Sequence, residues 1–106
     1  MLITTTNNFE NRKIKEYLDI VFGEVVEGID IVKDFKASFT NIFGGRSGSY
    51  EDSVAVSRRA AIEEMISNAR KLKADAIVSV KIDYETIGSM LMIIASGTAV
   101  TLEEEW

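Results

Sequence analysis

The residues best suited to chemistry in this chain lie in a glycine-rich corner, Gly44-Gly45-Arg46-Ser47-Gly48-Ser49, which precedes a long helical pattern. A glycine-rich loop at a helix N-terminus offers free backbone N–H groups and a favourable dipole to an anion. The guanidinium of Arg46 can add a bidentate contact to a phosphate or a carboxylate. The candidate ligand-binding residues are therefore Gly44, Gly45, Arg46, Ser47 and, in the first turns of the helix, Tyr50.

The same corner also fits a purely structural role. Glycines supply the dihedral angles that a tight turn between two helices requires, and Arg46 then pairs with Glu51 or with a carboxylate of a neighbouring subunit. The segment lacks the Gly-Lys-Ser/Thr ending of a P-loop. It does not follow a predicted strand, as a dinucleotide-binding fingerprint would. The residues leave both roles open.

A second group of candidate residues could bind a metal ion. Asp83 and Glu85 alternate along one predicted strand, and Met90 and Met92 alternate along the next, so each pair lies on one face of its strand. Carboxylates bind hard cations and thioethers bind soft ones. The chain has no cysteine and no histidine, which excludes thiolate and imidazole sites. The alternative is that the methionines fill gaps in a core or an interface and that the carboxylates are solvated.

Composition narrows the class of protein. With 106 residues, 46% of them apolar, the chain can form one domain with a core, which we place at residues 1–106. A net charge of −5 argues against nucleic-acid binding, which needs a basic surface. Without histidine or cysteine, a general base or nucleophile is hard to assign, so a non-enzymatic role is favoured. No signal peptide and no membrane-length apolar run is evident, which predicts a cytoplasmic protein without membrane contact.

The residue pattern predicts elements in the order ββααββ, with strands over residues 1–5, 14–28, 76–86 and 90–102 and helices over 30–43 and about 49–73. We expect an α+β fold in which an antiparallel sheet has two helices packed on one face. Gly23 interrupts the second strand and suggests a bulge or a bend. Clean alternation over residues 76–86 predicts a strand with one covered face. Gly88 marks a hairpin turn.

The last strand pattern predicts self-association. Leu91, Met92, Ile93 and Ile94 make it apolar on both faces, and a small subunit with few elements can hardly cover both. Burial of one face against a second copy of the chain is the economical explanation. We therefore expect a homo-oligomer.

Several of these segments, taken in order, resemble the YbjQ-like family of small bacterial and archaeal proteins. The resemblance covers nearly the whole chain and rests on six segments, which are Tyr17-Leu18-Asp19-Ile20-Val21-Phe22-Gly23-Glu24-Val25, Gly44-Gly45-Arg46-Ser47, Tyr50-Glu51, Ala74-Asp75-Ala76-Ile77-Val78, Asp83-Tyr84-Glu85 and Gly97-Thr98-Ala99-Val100.

The resemblance implies a small α+β subunit that builds a ring-shaped homo-oligomer, a pentamer, and it implies heavy-metal binding. Three hypotheses follow. The first is a non-enzymatic homo-oligomeric binding or scaffold protein with a ligand site at subunit boundaries, near Arg46, Tyr50 and the strand face of Asp83 and Glu85. The second is a metal-binding protein that uses carboxylates or methionines from several subunits. The third is a carrier of a small anionic ligand or cofactor.

Overall fold

The computed structural model describes residues 1–28 and 48–104, which form four strands and one helix in the order ββαββ. Strand β1 is Leu2–Ile3, β2 is Ile14–Gly28, β3 is Ala76–Ile87 and β4 is Met90–Leu102. Helix α1 is Gly48–Lys71. Among the described residues, no helix is both long enough and apolar enough to cross a lipid bilayer.

The sheet is mixed, with the strand order β1-β3-β4-β2. Strand β4 pairs antiparallel with both β2 and β3, whereas β1 pairs parallel with β3, with Leu2 opposite Ala76. The predicted antiparallel sheet with two helices is therefore wrong, because β1 pairs parallel with β3 and the described residues form one helix. The helix predicted over residues 30–43 lies outside the described residues. The ring-shaped assembly in that prediction is not shown by the single chain.

Helix α1 covers one face of the sheet, mainly over β2 and β4. Its central inward residues Ala61, Met65 and Ala69 are fully buried. The helix ends in a left-handed cap, because Lys73 has a φ of 62° and the Ala74 amide donates to the Ala69 carbonyl at 3.2 Å. This face contains the main apolar core.

Gly23 does not form a bulge. It pairs regularly with Ala95. The irregularities of β2 lie earlier, between Ile14 and Glu16 and between Tyr17 and Asp19. A Cβ atom on Gly23 would lie 2.5 Å from the amide nitrogen of Met65 and closer still to the carbonyl oxygen of Ala61. Glycine is therefore required here because the helix backbone packs directly on the strand.

Strand β3 carries a bulge that the alternation did not predict. The pairing with β4 shifts between Val78 and Lys81, and Ser79 has a φ of 55°. One extra residue reverses the direction of all later side chains. As a result, Val78 lies on one face of the sheet and Ile82 on the other, so the prediction of a single covered face along β3 is wrong.

Among the described residues, cover on the second face of the sheet lies at one end. There Phe9 and Ile14 pack on a small buried cluster, which consists of Ala76, Val78, Val100 and Leu102. The β3–β4 hairpin lies at the opposite end of β4, and its turn has Gly88 at a φ of 60°, which confirms the predicted hairpin. Between these two ends, no described element covers the second face.

Candidate functional site

The uncovered part of the sheet is the first candidate site, and we call it the open face. Strand residues alternate between faces, and the register places side chains of three strands side by side on this face. The open face consists of Ile20, Phe22, Glu24 and Val26 on β2, Met90, Met92, Ile94, Ser96 and Thr98 on β4, and Lys81, Asp83 and Glu85 on β3.

The open face has an apolar side formed by β2 and β4. Ile20 is 61% exposed, and Phe22 and Val26 are each 49% exposed. Across the register, Val26 lies opposite Met92. Single apolar residues on a surface are ordinary, whereas larger contiguous apolar patches are typical of interaction sites.

The predicted metal-binding residues all lie on the open face. Glu85 is directly opposite Met92, which places their Cβ atoms about 5 Å apart. Asp83 lies two residues before Glu85 on β3, and Met90 lies two residues before Met92 on β4, so each pair shares a face. The structure therefore brings Asp83, Glu85, Met90 and Met92 together on one surface.

These four residues do not form a complete metal site within one subunit. The Asp83 carboxylate lies 3.5 Å from the ammonium of Lys81, in an exposed ion pair. Across residues 1–28 and 48–104, no three acidic, histidine or cysteine side chains converge on one point. A metal ion at the open face would therefore need further ligands from a second subunit or from water.

The predicted anion site cannot be placed as a whole. Gly44, Gly45, Arg46 and Ser47 lie outside the described residues. Tyr50 lies in the first turn of α1, and its side chain is outside the described part of the chain. Asp83 and Glu85 lie on the sheet face opposite to α1. A site that combines them with Arg46 and Tyr50 stays a prediction.

One polar pair in the core was not predicted. The buried hydroxyl of Ser57 donates to a carboxylate oxygen of Glu27, and the other carboxylate oxygen is shielded from solvent without a partner among the described residues. Glu27 continues the inward register of Val21, Gly23 and Val25, and a carboxylate in an inward position was the signal that could have revealed this pair. The pair links β2 to α1, with Ser57 buried and Glu27 half-buried.

Comparison with known proteins decides the family. A family model described as "Putative heavy-metal-binding", YbjQ-like, matches residues 1–103. The chain belongs to this family. The earlier resemblance is thereby confirmed over almost the full length.

Family relatives have the same extent as this chain. A UPF0145 protein of Geobacillus kaustophilus is 52% identical over 104 residues, which are 97% of this chain and 99% of that protein. A UPF0145 protein of Clostridium kluyveri is 50% identical, over 97% of this chain and 100% of that protein. A UPF0145 protein of Pasteurella multocida is 49% identical, over 96% of this chain and 99% of that protein.

A solved structure supports the fold alone. The crystal structure of a protein of unknown function from Pediococcus pentosaceus, assigned to the DUF74 family, aligns with a TM-score of 0.59 at 18% identity. The alignment covers 97% of this chain and 98% of that protein. Its identity is too low to transfer a site, so the function is argued from the residues of the open face.

Proposed function

We propose that this member of the YbjQ-like family is a non-enzymatic homo-oligomeric binding or scaffold protein whose subunits join through the open face. The observation that carries the proposal is the exposed apolar group of Ile20, Phe22 and Val26 beside the half-buried Met92 and Ile94. Removing apolar surface from water contributes about 25 cal/mol per Å². A second copy that covered this group would gain that free energy.

The position of β2 supports the same proposal. β2 has 15 residues and lies at the edge of the described sheet, so one row of its backbone N–H and C=O groups has no neighbouring strand among the described residues. Proteins usually protect such edges with prolines, bulges or short strands. This chain has no proline, and the pairing of β2 is regular from Asp19 to Gly28. One of these carbonyls, that of Phe22, accepts a hydrogen bond from the Asn68 side chain at 2.8 Å.

The proposal is tested by placing one lysine on the open face and one elsewhere. Val26→Lys introduces a charge into the apolar group of the open face. Val56→Lys is the matched control, because Val56 is 70% exposed on α1, away from that face. We expect native mass spectrometry of the untagged protein to find an oligomer for the wild type and for V56K, and a smaller species for V26K at the same concentration.

Each outcome is informative. The pentamer implied by the family resemblance stays a prediction, and it would have five times the 11.8 kDa subunit mass. A monomeric wild type at micromolar concentration would contradict the proposal. An oligomer that V26K leaves intact would place the interface elsewhere on the subunit.

A second candidate function is metal binding, which the grouping of Asp83, Glu85, Met90 and Met92 on the open face favours. Two carboxylates and two thioethers per subunit are too few and too mixed for a closed site, but assembly would multiply them. Carboxylates alone select hard cations, whereas the thioethers select soft ones such as Cu(I). Variants of the carboxylate pair and of the methionine pair can therefore show whether a bound metal ion is hard or soft.

The metal proposal is tested by elemental analysis of protein purified without chelator. We expect stoichiometric metal in the wild type and a loss in Asp83→Asn/Glu85→Gln if the ion is hard, or in Met90→Leu/Met92→Leu if it is soft. Glu63→Gln is the control, because Glu63 pairs with Arg59 on the exposed side of α1. A metal-free wild type that also fails to take up added Mg²⁺, Zn²⁺ or Cu⁺ would contradict this function.

The anion-carrier hypothesis at Gly44, Gly45, Arg46, Ser47 and Tyr50 stays a prediction. An organic ligand retained in purification would add mass to the native oligomer and, if conjugated, would absorb in the visible range. A metal would add less mass and would be removed by chelator.

A further inference from the structure

A cleft of about 450 Å³ lies at the turn that leads into β2, at the end of the sheet remote from the β3–β4 hairpin. Phe9 and Arg12 form a small antiparallel bridge, which closes a tight turn. The walls include the apolar side chains of Phe9 and Ile14 and the ring of Tyr17, which is 67% exposed. Clefts of this size are typical of small-molecule sites.

The guanidinium of Arg12 is held at this cleft without a countercharge. Its Nη2 donates to the Glu103 carbonyl oxygen at 3.1 Å, which fixes the side chain. Its Nε is shielded from solvent and has no hydrogen-bond partner among residues 1–28 and 48–104. Among the described residues, the ion pairs join Arg59 with Glu63 and Lys81 with Asp83, and neither includes Arg12. A partly buried, positioned cation of this kind favours an anionic ligand.

Among the residues that line the cleft, two cations stand against one carboxylate. Lys13 adds a second cation and Glu10 adds the carboxylate, while the amides of Asn8 and Asn11 add neutral donors and acceptors. The lining therefore has a net charge of +1, and Glu103, whose carbonyl contacts Arg12, is not one of the lining residues. Phosphate alone would use the cations and leave the apolar walls without a role.

We propose that this cleft binds a small carboxylate that carries an aromatic or branched apolar group. Arg12 and Lys13 pair with the carboxylate, because guanidinium and ammonium groups donate charge-assisted hydrogen bonds. Phe9 and Tyr17 contact the apolar group. The site lies apart from the metal-binding candidates on the open face and does not depend on them.

The test uses benzoate as the probe and NMR spectroscopy of the assembled, full-length protein. We expect benzoate to shift backbone amide signals of residues 8–17 in a saturable manner. Benzamide, which has the same shape without the charge, should bind about tenfold more weakly or not at all, since it lacks the charge-assisted bonds. Acetate, which lacks the ring, should also bind more weakly.

Variants separate a binding role of Arg12 from a structural one. Arg12→Gln should weaken benzoate binding about tenfold, and Arg59→Gln, on the exposed surface of α1, should leave it unchanged. If R12Q disturbs the fold, Lys13→Gln and Tyr17→Leu test the same cleft without removing the contact to Glu103. Equal affinity for benzoate and benzamide, or shifts spread evenly over the surface, would overturn the proposal.

Discussion

Replacing Gly23 by alanine tests how closely α1 packs on β2. The new Cβ atom would lie 2.5 Å from the Met65 amide nitrogen and closer still to the Ala61 carbonyl oxygen. Ordinary Cβ contacts begin at 3.4 Å. The helix would therefore have to retreat by about 0.9 Å at Met65, the difference between these distances, and by more at Ala61.

The expected loss of stability is large because both contacts involve the helix backbone. Rotation of a side chain cannot relieve them, so α1 must move away from the sheet together with the buried Ala61 and Met65. Overpacking a core costs about 1–3 kcal/mol, occasionally more, and we expect the upper end of this range. In a domain of this size each kcal/mol lowers Tm by about 4–8 °C, so the melting temperature should fall by roughly 12–24 °C.

The measurement is urea and thermal unfolding followed by far-ultraviolet circular dichroism. Wild type and variant must be compared at the same protein concentration, since assembly itself adds stability. Gly88→Ala is the control. Gly88 has a φ of 60°, and a Cβ atom added there would have no other atom within 4 Å. This variant therefore tests backbone strain alone, which costs about 1 kcal/mol. If G23A loses no more stability than G88A, the close helix–strand contact is refuted.

Three further substitutions test other contacts, each by its urea midpoint. Gly97→Ala should cost about 1–3 kcal/mol, less than G23A, because its Cβ would lie 2.5 Å from a side-chain methyl group of Ile77 and 3.2 Å from the nearest backbone atom, the Val78 carbonyl oxygen, whereas both close contacts of G23A are backbone atoms; an equal or larger cost would contradict this reason. Ser57→Ala should cost about 1–3 kcal/mol, because Glu27 loses its donor, and an unchanged midpoint would show that water replaces the hydroxyl. Met65→Ala should cost about 2–5 kcal/mol, since this fully buried side chain would leave a cavity, whereas a smaller loss would mean that the core closes around it.

Much of the local structure follows from residue pattern. Helix α1 ends within two residues of its predicted limit at Lys73, because the helical spacing of apolar residues is a local property. The β3–β4 hairpin is likewise a local feature, marked by Gly88. The grouping of the metal-binding candidates on one surface follows from alternation within each strand and from the register of that hairpin.

Other features of the candidate sites required the tertiary structure. The pattern suggested a bulge or a bend at Gly23. A glycine within a strand also fits a close contact with another backbone, and only the position of α1 shows that such a contact is the reason here. The pair of Ser57 and Glu27 joins residues that are 30 positions apart. The exposed cleft at Arg12 likewise depends on Glu103, whose carbonyl orients the guanidinium from the far end of the chain.

The sequence by itself determined the described helix, the main strands, the family and the exclusion of thiolate and imidazole chemistry, since each depends on residue identity or short-range spacing. The tertiary structure decided that β1 pairs parallel with β3, that the bulge at Ser79 reverses the faces of β3, and that the described residues cover one side of the sheet only at one end. These outcomes depend on contacts between distant segments. Alternative contacts of this kind differ in the packing free energy of the whole fold, and a local residue pattern does not show which of them is the most stable.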